Sequence, residues 1–379
     1  MPELTPYTLQ FKGGLHVGTR GVNLEEAGVS IPSDSLFAAI LSTLRLAGED
    51  VGAFADAYIA DPPFLLTSAF PVVGGVRFYP MPADAARLFR ADTVAKYGKK
   101  LGKINYISEG LVKEALKKGN LDDWLFPEKE TETPKTGVTL QGTTLWLKVD
   151  EIKSLPSAFY REEKHRHALP RLTVWKTMRA PRVTIDRITS ATNIFHAGKV
   201  EFASGCGLWF GVHWLKPEAE YAGKKFKDAL DTALKMMQDD GVGGERTTGY
   251  GAFTLVDEDE NKKKPVSFDQ EIKPGGLGFL LSRYHPRGDE AQTSLQDSQA
   301  AYRLTPVAGW LHTYDGASQR RKRVFLVEEG GLIRAAPGVM GDVVDVRPEY
   351  NGTFGVEHPV YRHGLAFLLA WPADGGANA

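Results

Sequence analysis

Residues 241–251 contain five glycines around a single arginine, Arg246, and this composition suits the binding of a phosphate. Glycine lets the main chain take positive φ and approach a ligand closely, so that successive N–H groups can converge on an anion. Arg246 would add a charge-assisted hydrogen bond. A glycine-rich turn that only reverses the chain is the alternative interpretation of this segment.

The position of this loop differs from that of the familiar nucleotide loops. It follows a predicted helix at residues 224–239 and precedes a predicted strand at residues 252–256, whereas nucleotide loops follow a strand and open a helix. Neither G-x-G-x-x-G nor G-x-x-x-x-G-K-[ST] is present, because Tyr250 stands where the second pattern requires lysine. The sequence therefore disfavours a mononucleotide hydrolase.

Residues 161–187 hold eight basic and three acidic residues, a local balance of +5 in a chain whose formal net charge is −1. Trp175 lies inside this segment. A basic segment with an aromatic residue suits a single-stranded polyanion whose bases can stack, and a solvated charged loop is the alternative. Residues 96–103 and 320–323 are shorter basic patches with the same two interpretations.

The elements that must position these residues follow the order β-α-β-β-α-β. Besides the helix and strand that flank the glycine-rich loop, the sequence predicts strands at residues 4–11 and 64–73 and a hairpin at residues 183–188 and 200–214. A further helix begins at Ser33, which can cap it, and Asp34 favours the positive end of its dipole. This order is that of the ferredoxin-like, or split βαβ, arrangement, in which two helices cover one face of an antiparallel sheet.

The length of 379 residues fits two domains. The first is predicted at residues 1–260, with an insertion at residues 83–180, and the second at residues 261–379, where the spacing of strands suggests a decorated copy of the same topology. The predicted fold class is α+β, with two ferredoxin-like (RRM-like) βαββαβ domains that carry insertions.

Composition limits the classes of protein that remain. Cys206 is the single cysteine, so neither an intramolecular disulfide nor a cysteine-based zinc site can form, which fits a reducing cytoplasm. The apolar run at residues 365–371 is far shorter than the ~20 residues that a membrane span needs. The first residues lack the basic region and apolar core of a signal peptide. We therefore expect a cytoplasmic protein without a membrane partner.

Several segments, taken in order, resemble the RAMP superfamily of CRISPR-associated RNA-binding proteins. Within it the chain is most similar to the Cas-five-like subunits that bind the crRNA 5′ handle in type III-A Csm effector complexes. The segments are residues 15–18 with 31–40, residues 181–192, the glycine-rich loop, and residues 308–310 with 358–364. Ser190 departs from the family's Asp-Arg-x-Thr-Gly pattern, which has glycine there, so the turn after Arg187 differs from that pattern.

The resemblance implies a non-catalytic RNA-binding subunit of a type III-A CRISPR interference complex in antiviral defence. Such a subunit caps the 5′ handle of the crRNA and joins the large polymerase/cyclase-like subunit to the backbone RAMP subunit, and it meets target RNA only indirectly. It needs neither a cofactor nor a metal. The implied RNA-binding residues are His16, Arg182, Arg187, Gly243, Gly244, Arg246, Thr247, Thr248, Gly249 and Tyr250.

Individual side chains in this set have specific expected roles. Hydroxyls of Thr247 and Thr248 can meet phosphate or a ribose 2′-OH. Tyr250 or Trp175 could stack on an unpaired base, although a buried core aromatic is the favoured interpretation of each. Residues 189–199 are similar to the protruding β-hairpin thumb of such subunits. Ile194 and Phe195, near its tip, would displace a nucleotide, and a cap over the core is the alternative.

Catalysis has little support in the sequence. Some RAMP relatives cleave precursor RNA without metal, using a histidine as general acid or base, and His16 is the candidate here, with His196 a weaker one. No second acid or base accompanies His16. His165 and His167 lack a third ligand, so no metal site is expected.

Two alternatives to an RNA-binding scaffold remain open. The first is a metal-independent endoribonuclease of the RAMP superfamily that matures crRNA. The second is an unrelated small-molecule enzyme that uses the glycine-rich loop as an anion site, and it predicts no RNA affinity.

Overall fold

The computed structural model describes residues 1–18, 26–129, 131–185, 188, 192–256, 264–311, 319–350 and 353–372, with residues 353 and 354 described by their backbone alone. Arg187 and Ser190, singled out in the sequence, lie outside these residues.

Residues 1–256 form a mixed α+β unit with thirteen strands and five α-helices among the described residues. The strands are β1 (Glu3–Phe11), β2 (Phe64–Leu66), β3 (Phe70–Val73), β4 (Val76–Pro80), β5 (Tyr106–Ser108), β6 (Gly137–Leu140), β7 (Leu145–Lys148), β8 (Trp175–Ile185), β9 (Thr192–Phe202), β10 (Cys206–Trp214), β11 (Glu220–Tyr221), β12 (Lys224–Lys225) and β13 (Phe253–Val256). The helices are α1 (Ser33–Leu46), α2 (Val51–Ala60), α3 (Ala91–Leu101), α4 (Glu109–Lys118) and α5 (Phe226–Asp240).

Residues 264–372 form twelve more strands among the described residues. They are β14 (Val266–Ser267), β15 (Leu277–Leu280), β16 (Leu304–Val307), β17 (Trp310–Leu311), β18 (Gln319–Arg320), β19 (Val324–Val327), β20 (Leu332–Arg334), β21 (Gly341–Asp345), β22 (Glu349–Tyr350), β23 (Thr353–Phe354), β24 (Tyr361–Leu365) and β25 (Leu368–Ala370).

The main sheet runs in the order β13-β1-β10-β3-β4-β5-β7-β6. β1 lies inside it, antiparallel to β10 on one side and to β13 on the other. The strand predicted at residues 64–73 is two strands, β2 and β3, which both pair with β10. At the break, Thr67 accepts the N–H of Gly211 with its side-chain oxygen at 2.8 Å and donates its own N–H to the carbonyl of Gly211 at 2.9 Å.

The first turn of α1 differs from the prediction at its cap. Pro32, not Ser33, is the N-cap residue. The N–H of Ser33 donates to Ser68 Oγ, and Ser33 Oγ accepts the N–H of Arg283, each at 2.8 Å. These two bonds join the start of α1 to the residues that follow β2 and β15, and Ser33 does not cap the helix.

The predicted hairpin at residues 183–188 and 200–214 is wrong in its strands. β8 pairs with β9 in a register that runs from Trp175 opposite Phe202 to Ile185 opposite Thr192. A turn at Gly205, whose φ is +74°, then separates β9 from β10. β10 is an unbroken buried run from Cys206 to Val212, as in the interior of a sheet. We call the two-stranded unit of β8 and β9 the thumb ribbon.

The segment predicted as an insertion, residues 83–180, extends the main sheet sideways. Its strands β5, β7 and β6 continue the sheet beyond β4. A 3-10 segment at Glu163–Arg171 then leads into the thumb ribbon.

The C-terminal part differs from the predicted second βαββαβ copy. It has one three-stranded sheet, β20-β15-β25, and several two-stranded ribbons. Its described residues contain no α-helix, and the helical structure there includes only a five-residue π-helical turn at Ala291–Leu295. The two helices that a second βαββαβ copy requires are therefore not found among the described residues.

The hydrophobic core continues across the predicted domain boundary. Phe279 and Trp371 belong to the same buried cluster as Leu4 and Leu36. β14 also pairs with β1, so a strand beyond the predicted boundary at residue 260 adds to the first sheet. The division at residues 260 and 261 stays a prediction. None of the described helices has the length and apolar character needed to cross a membrane.

Candidate nucleic-acid interface

Two glycines of the glycine-rich loop, Gly243 and Gly251, are required by close packing against His16 and within the loop itself. Gly243 and Gly251 have φ of +93° and +80°. A β-carbon at Gly243 would lie 2.4 Å from the carbonyl oxygen of His16, and one at Gly251 would lie 2.0 Å from that of Val242. Both positions therefore exclude any other residue, for reasons that involve no ligand.

Most of the loop N–H groups that we predicted to face phosphate are already engaged. The N–H of Gly244 donates to the carbonyl of His16 at 2.8 Å, that of Gly249 to Arg246 at 2.9 Å, and that of Gly251 to Gly14 at 2.8 Å. These three N–H groups are therefore engaged within the chain in this structure, and phosphate binding by the loop stays a prediction. A ligand would instead meet the exposed 3-10 turn at Arg246–Thr248.

Arg246 is the free cation of this turn. Its side chain is exposed, and no carboxylate of the described residues forms an ion pair with it. Thr247 beside it is exposed too, whereas the Thr248 hydroxyl donates to the carbonyl of Glu245 at 2.8 Å. The turn thus presents one cation and one hydroxyl to solvent.

His16 connects the glycine-rich loop to the thumb ribbon. Its ring is only 5% exposed, and Nδ1 lies 2.7 Å from the carbonyl oxygen of Gly198 on β9. Because a carbonyl only accepts, Nδ1 carries the proton and Nε2 of the neutral ring has the lone pair. On its other side the ring packs on Gly244, where a β-carbon would lie 2.8 Å from Cδ2. His16 is thus placed to hold two elements together.

Arg182 makes a second connection between the same two elements. Its guanidinium carbon lies 5.1 Å from the centre of the Tyr250 ring, and Nη2 donates to Thr248 Oγ1 at 3.2 Å. Tyr250 is buried under this contact. Arg182 and Tyr250 are therefore brought together as predicted site residues, but Tyr250 has the buried position that was the favoured alternative to base stacking.

The base of the thumb ribbon is fixed by polar contacts that the sequence did not suggest. Trp175 is buried next to Phe202, so it too is a core aromatic. Gln141 accepts the N–H of Val174 at 2.6 Å with Oε1 and donates to the carbonyl of Trp175 at 2.9 Å with Nε2. Gln141 lies in a turn with φ of +52°, and only its structural context reveals this role.

The two predicted thumb residues point to opposite faces of the ribbon. Ile194 lies opposite Val183 and is 66% exposed, whereas Phe195 lies opposite Arg182 and is half-buried on the face next to the glycine-rich loop. Val183 and Ile185 share the exposed face with Ile194. These two residues were not predicted from the sequence, although the alternation of apolar and polar residues around Thr184 could have indicated them.

The other histidines named from the sequence, His165, His167 and His196, are at least partly exposed. His165 and His167 have ring centres 6.5 Å apart, and His196 is exposed on β9. No group of three or more potential metal ligands occurs in the described residues.

Comparison with known proteins gives a family match for the C-terminal part of the chain. Residues 273–371 match the family model of the CRISPR Csm4 C-terminal domain. The chain is 22% identical to the Csm4 protein of Mycobacterium tuberculosis over 360 residues, which are 94% of each chain. It is also 22% identical to the Csm4 protein of Methanocaldococcus jannaschii over 244 residues, 58% of this chain and 60% of that protein.

Solved structures show the same fold over almost the full length. A chain in a Csm3–Csm4 subcomplex of the type III-A CRISPR-Cas interference complex matches with a TM-score of 0.63 and 17% identity, covering 98% of this chain and 99% of that one. A chain in a Csm1–Csm4 cassette bound to cA4 matches with a TM-score of 0.53 and 16% identity, covering 98% of each chain. At these identities the similarity establishes the fold.

Proposed function

We propose, from the premise that this chain belongs to the Csm4 family of CRISPR RAMP proteins, that it is a non-catalytic RNA-binding subunit of a type III-A Csm interference complex. In this function it caps the 5′ handle of the crRNA and bridges the large polymerase-like subunit to the backbone RAMP subunit. The solved relatives, which pair Csm4 with Csm3 in one structure and with Csm1 in another, support the choice of these two partners.

The observation that carries the proposal is the joint between the thumb ribbon and the glycine-rich loop. His16 and Arg182 hold the two elements together, and the exposed cation of Arg246 lies on the turn next to this joint. A rigid projection beside an accessible cation suits a nucleic-acid backbone that must bend around a fixed point. Lys176 and Arg179 continue the positive charge along the exposed part of β8.

The finer description of the fold belongs to the same proposal. The strands β1, β2 with β3, β10 and β13 lie in the spatial order β13-β1-β10-β3, with α1 and α5 in the two connections. This is the strand order that a ferredoxin-like domain requires. We therefore interpret the N-terminal part as a ferredoxin-like RAMP domain from which the thumb ribbon protrudes.

The absence of catalysis is part of the proposal and rests on His16. A general base must reach the proton that it removes, and this ring is nearly enclosed by Gly198 and Gly244. The endoribonuclease alternative requires His16 to act from that enclosed position. Incubation of the protein with precursor crRNA, followed by analysis of the RNA on a denaturing gel, distinguishes the two: cleavage that disappears in His16→Ala would contradict the scaffold proposal.

The first experiment is to purify the protein from its native cells and sequence the RNA that accompanies it. Short RNAs with one repeat-derived 5′ end are expected. An absence of RNA would contradict the proposal.

The second experiment assigns the cation. Arg246→Ala should weaken binding of a crRNA that carries the 5′ handle by roughly tenfold and reduce the slope of log affinity against log salt by about 1. Lys117→Ala is the matched control, because this exposed lysine on α4 lies outside the interface and its loss should leave both quantities unchanged. Equal affinities for wild type and Arg246→Ala would remove Arg246 from the site.

A further inference from the structure

A second ribbon projects from the C-terminal part. It consists of β16 paired with β19 and β17 paired with β18, and we call it the C-terminal ribbon. Its inner side is fixed to the molecule. Leu326 and Val327 are buried, Val327 exchanges backbone hydrogen bonds of 3.2 and 2.7 Å with Tyr284, and the N–H of Lys322 donates to the carbonyl of Val346 at 3.0 Å. The ribbon is therefore held rigidly along one side.

The outer side of the C-terminal ribbon exposes apolar side chains that no described element covers. Pro306 and Phe325 lie opposite each other, so their side chains share a face, and Leu304, two residues before Pro306, shares it too. All three are exposed, and Phe325 is 54% exposed. Further along, Trp310 lies opposite Arg320 and is 44% exposed. A group of exposed apolar side chains of this kind marks an interaction surface.

The charges along the ribbon are positive and available. Arg303, Arg320 and Arg323 are exposed, and no carboxylate of the described residues pairs with any of them. The acidic residues beside the ribbon are already in ion pairs, Glu328 and Glu329 with Arg283 and Glu349 with Lys322. The surface therefore complements a partner with an acidic rim.

The side chains favour protein over RNA as the partner. Leu304 and Pro306 offer neither hydrogen bonds nor an aromatic face for a base. One face of the Trp310 ring is already occupied by its own neighbour, since the Arg320 guanidinium carbon lies 5.0 Å from the ring centre. Aromatic residues and arginine around an apolar centre, with no free carboxylate, are typical of the energetic centre of protein interfaces.

We propose that the C-terminal ribbon is a docking surface for a neighbouring protein subunit. That subunit would offer an apolar groove for Phe325 and Trp310 and an acidic rim for the arginines beside them. The inference extends the proposed function, because it assigns a specific surface to one of the two bridging contacts. It places that contact away from the glycine-rich loop and the thumb ribbon.

The test uses the whole complex. All subunits of the protein's own CRISPR locus are co-expressed, the complex is purified through a tag on this chain, and each protein subunit and the crRNA are quantified per chain. In Phe325→Glu, which places a carboxylate opposite the acidic rim, we expect the recovery of one neighbouring subunit to fall at least tenfold while crRNA recovery stays unchanged. Arg323→Glu, a charge reversal that changes no apolar contact, should lower the recovery of the same subunit.

The matched control is Tyr160→Glu, which introduces the same charge at an aromatic residue that is 56% exposed elsewhere on the molecule. Full recovery of every subunit is expected there. Loss of crRNA with all subunits retained in Phe325→Glu would overturn the proposal in favour of an RNA surface, and unchanged composition in both ribbon variants would overturn it outright. A wild-type complex without crRNA would refute the proposed handle-binding function, yet loss of the subunit in Phe325→Glu would still establish the docking surface.

Discussion

The two ribbons are both built of paired antiparallel strands, and they differ in the contacts that fix them to the rest of the molecule. The thumb ribbon is joined to the glycine-rich loop by a histidine that donates to a main-chain carbonyl and by close packing on glycine, as His16 shows between Gly198 and Gly244. The C-terminal ribbon instead lies beside buried ion pairs: Asp34 pairs with Arg362 at 3.0 Å, and Arg283 pairs with Glu329 at 3.0 Å. Removing one of these buried charges should therefore loosen the C-terminal ribbon and leave the thumb ribbon unchanged.

The buried charges are balanced rather than simply attractive. Burial raises the pKa of Asp34, although the guanidinium of Arg362 opposes this shift. Burial, together with the like charge of Arg362, lowers the pKa of Arg321 on the C-terminal ribbon to about 10. The negative charge of Asp34 thus offsets the repulsion between the guanidiniums of Arg321 and Arg362.

Removing the charge of Asp34 should therefore give the largest effect. Asp34→Asn leaves Arg362 buried without its partner, and the expected loss of unfolding free energy is about 3–5 kcal/mol. Urea unfolding measures the loss. Hydrogen exchange should show faster opening of Val324–Val327 than in wild type, with the thumb ribbon unchanged.

The second-site variant Arg362→Met supplies the control. In the Asp34→Asn background it removes the unpaired charge, and at least half of the lost stability should return. If the double variant is as unstable as Asp34→Asn alone, steric disruption of α1, not an uncompensated charge, is the cause.

Acid should weaken the packing of β24 on the helices of the N-terminal part by a smaller amount between pH 7.5 and ~5. His363 on β24 is fully buried, and burial lowers its pKa from the ordinary 6.5 to about 3. Tyr58 donates its hydroxyl to the carbonyl of Phe64 at 2.9 Å, so its contact of 3.0 Å with His363 Nε2 requires the proton on that nitrogen of the neutral ring. Between pH 6.5 and 3 the unfolded chain binds a proton that the folded chain does not, so stability falls as the pH is lowered through this window.

The expected slope for this single group is up to about 1.4 kcal/mol of unfolding free energy per pH unit. Urea unfolding at several pH values from 7.5 down to ~5, in wild type and in His363→Gln, isolates it, because the other titrating groups are common to both proteins. His363→Gln should lose stability less steeply on acidification. Parallel slopes for the two proteins would show that His363 is not the group responsible.

The sequence allowed β1, α1, α5 and β13 to be predicted because their patterns are local. The apolar face of α1 and the unbroken run of β10 each bury against one neighbour, and periodicity reports this directly. The C-terminal part defeated the same reasoning. Its strands are only two to five residues long, too short for a periodic pattern of apolar residues to be recognised in the sequence.

The candidate site shows the same division between local and tertiary information. The glycines of the loop were recognisable as a special backbone, yet whether their N–H groups face a ligand or the chain depends on residues 14–16, more than two hundred positions away. Arg182 and Tyr250 were both selected from the sequence, but their stacking on each other depends on the register of β8 with β9. Residue type was predictable here, and the availability of each polar group was not.

The smallest expected effect separates the two faces of the thumb ribbon. Ile194→Ala changes an exposed side chain and should alter unfolding free energy by no more than about 0.5 kcal/mol. Phe195→Ala removes a half-buried ring on the face of Arg182 and should cost roughly 1–2 kcal/mol, about half or less of the cost at a fully buried position. Handle affinity should survive Ile194→Ala, while the nuclease footprint over the first guide nucleotides should change, because this side chain faces outward from the ribbon. Equal stability losses in the two variants would mean that both faces of the ribbon are covered, and the contrast with the open outer face of the C-terminal ribbon would then disappear.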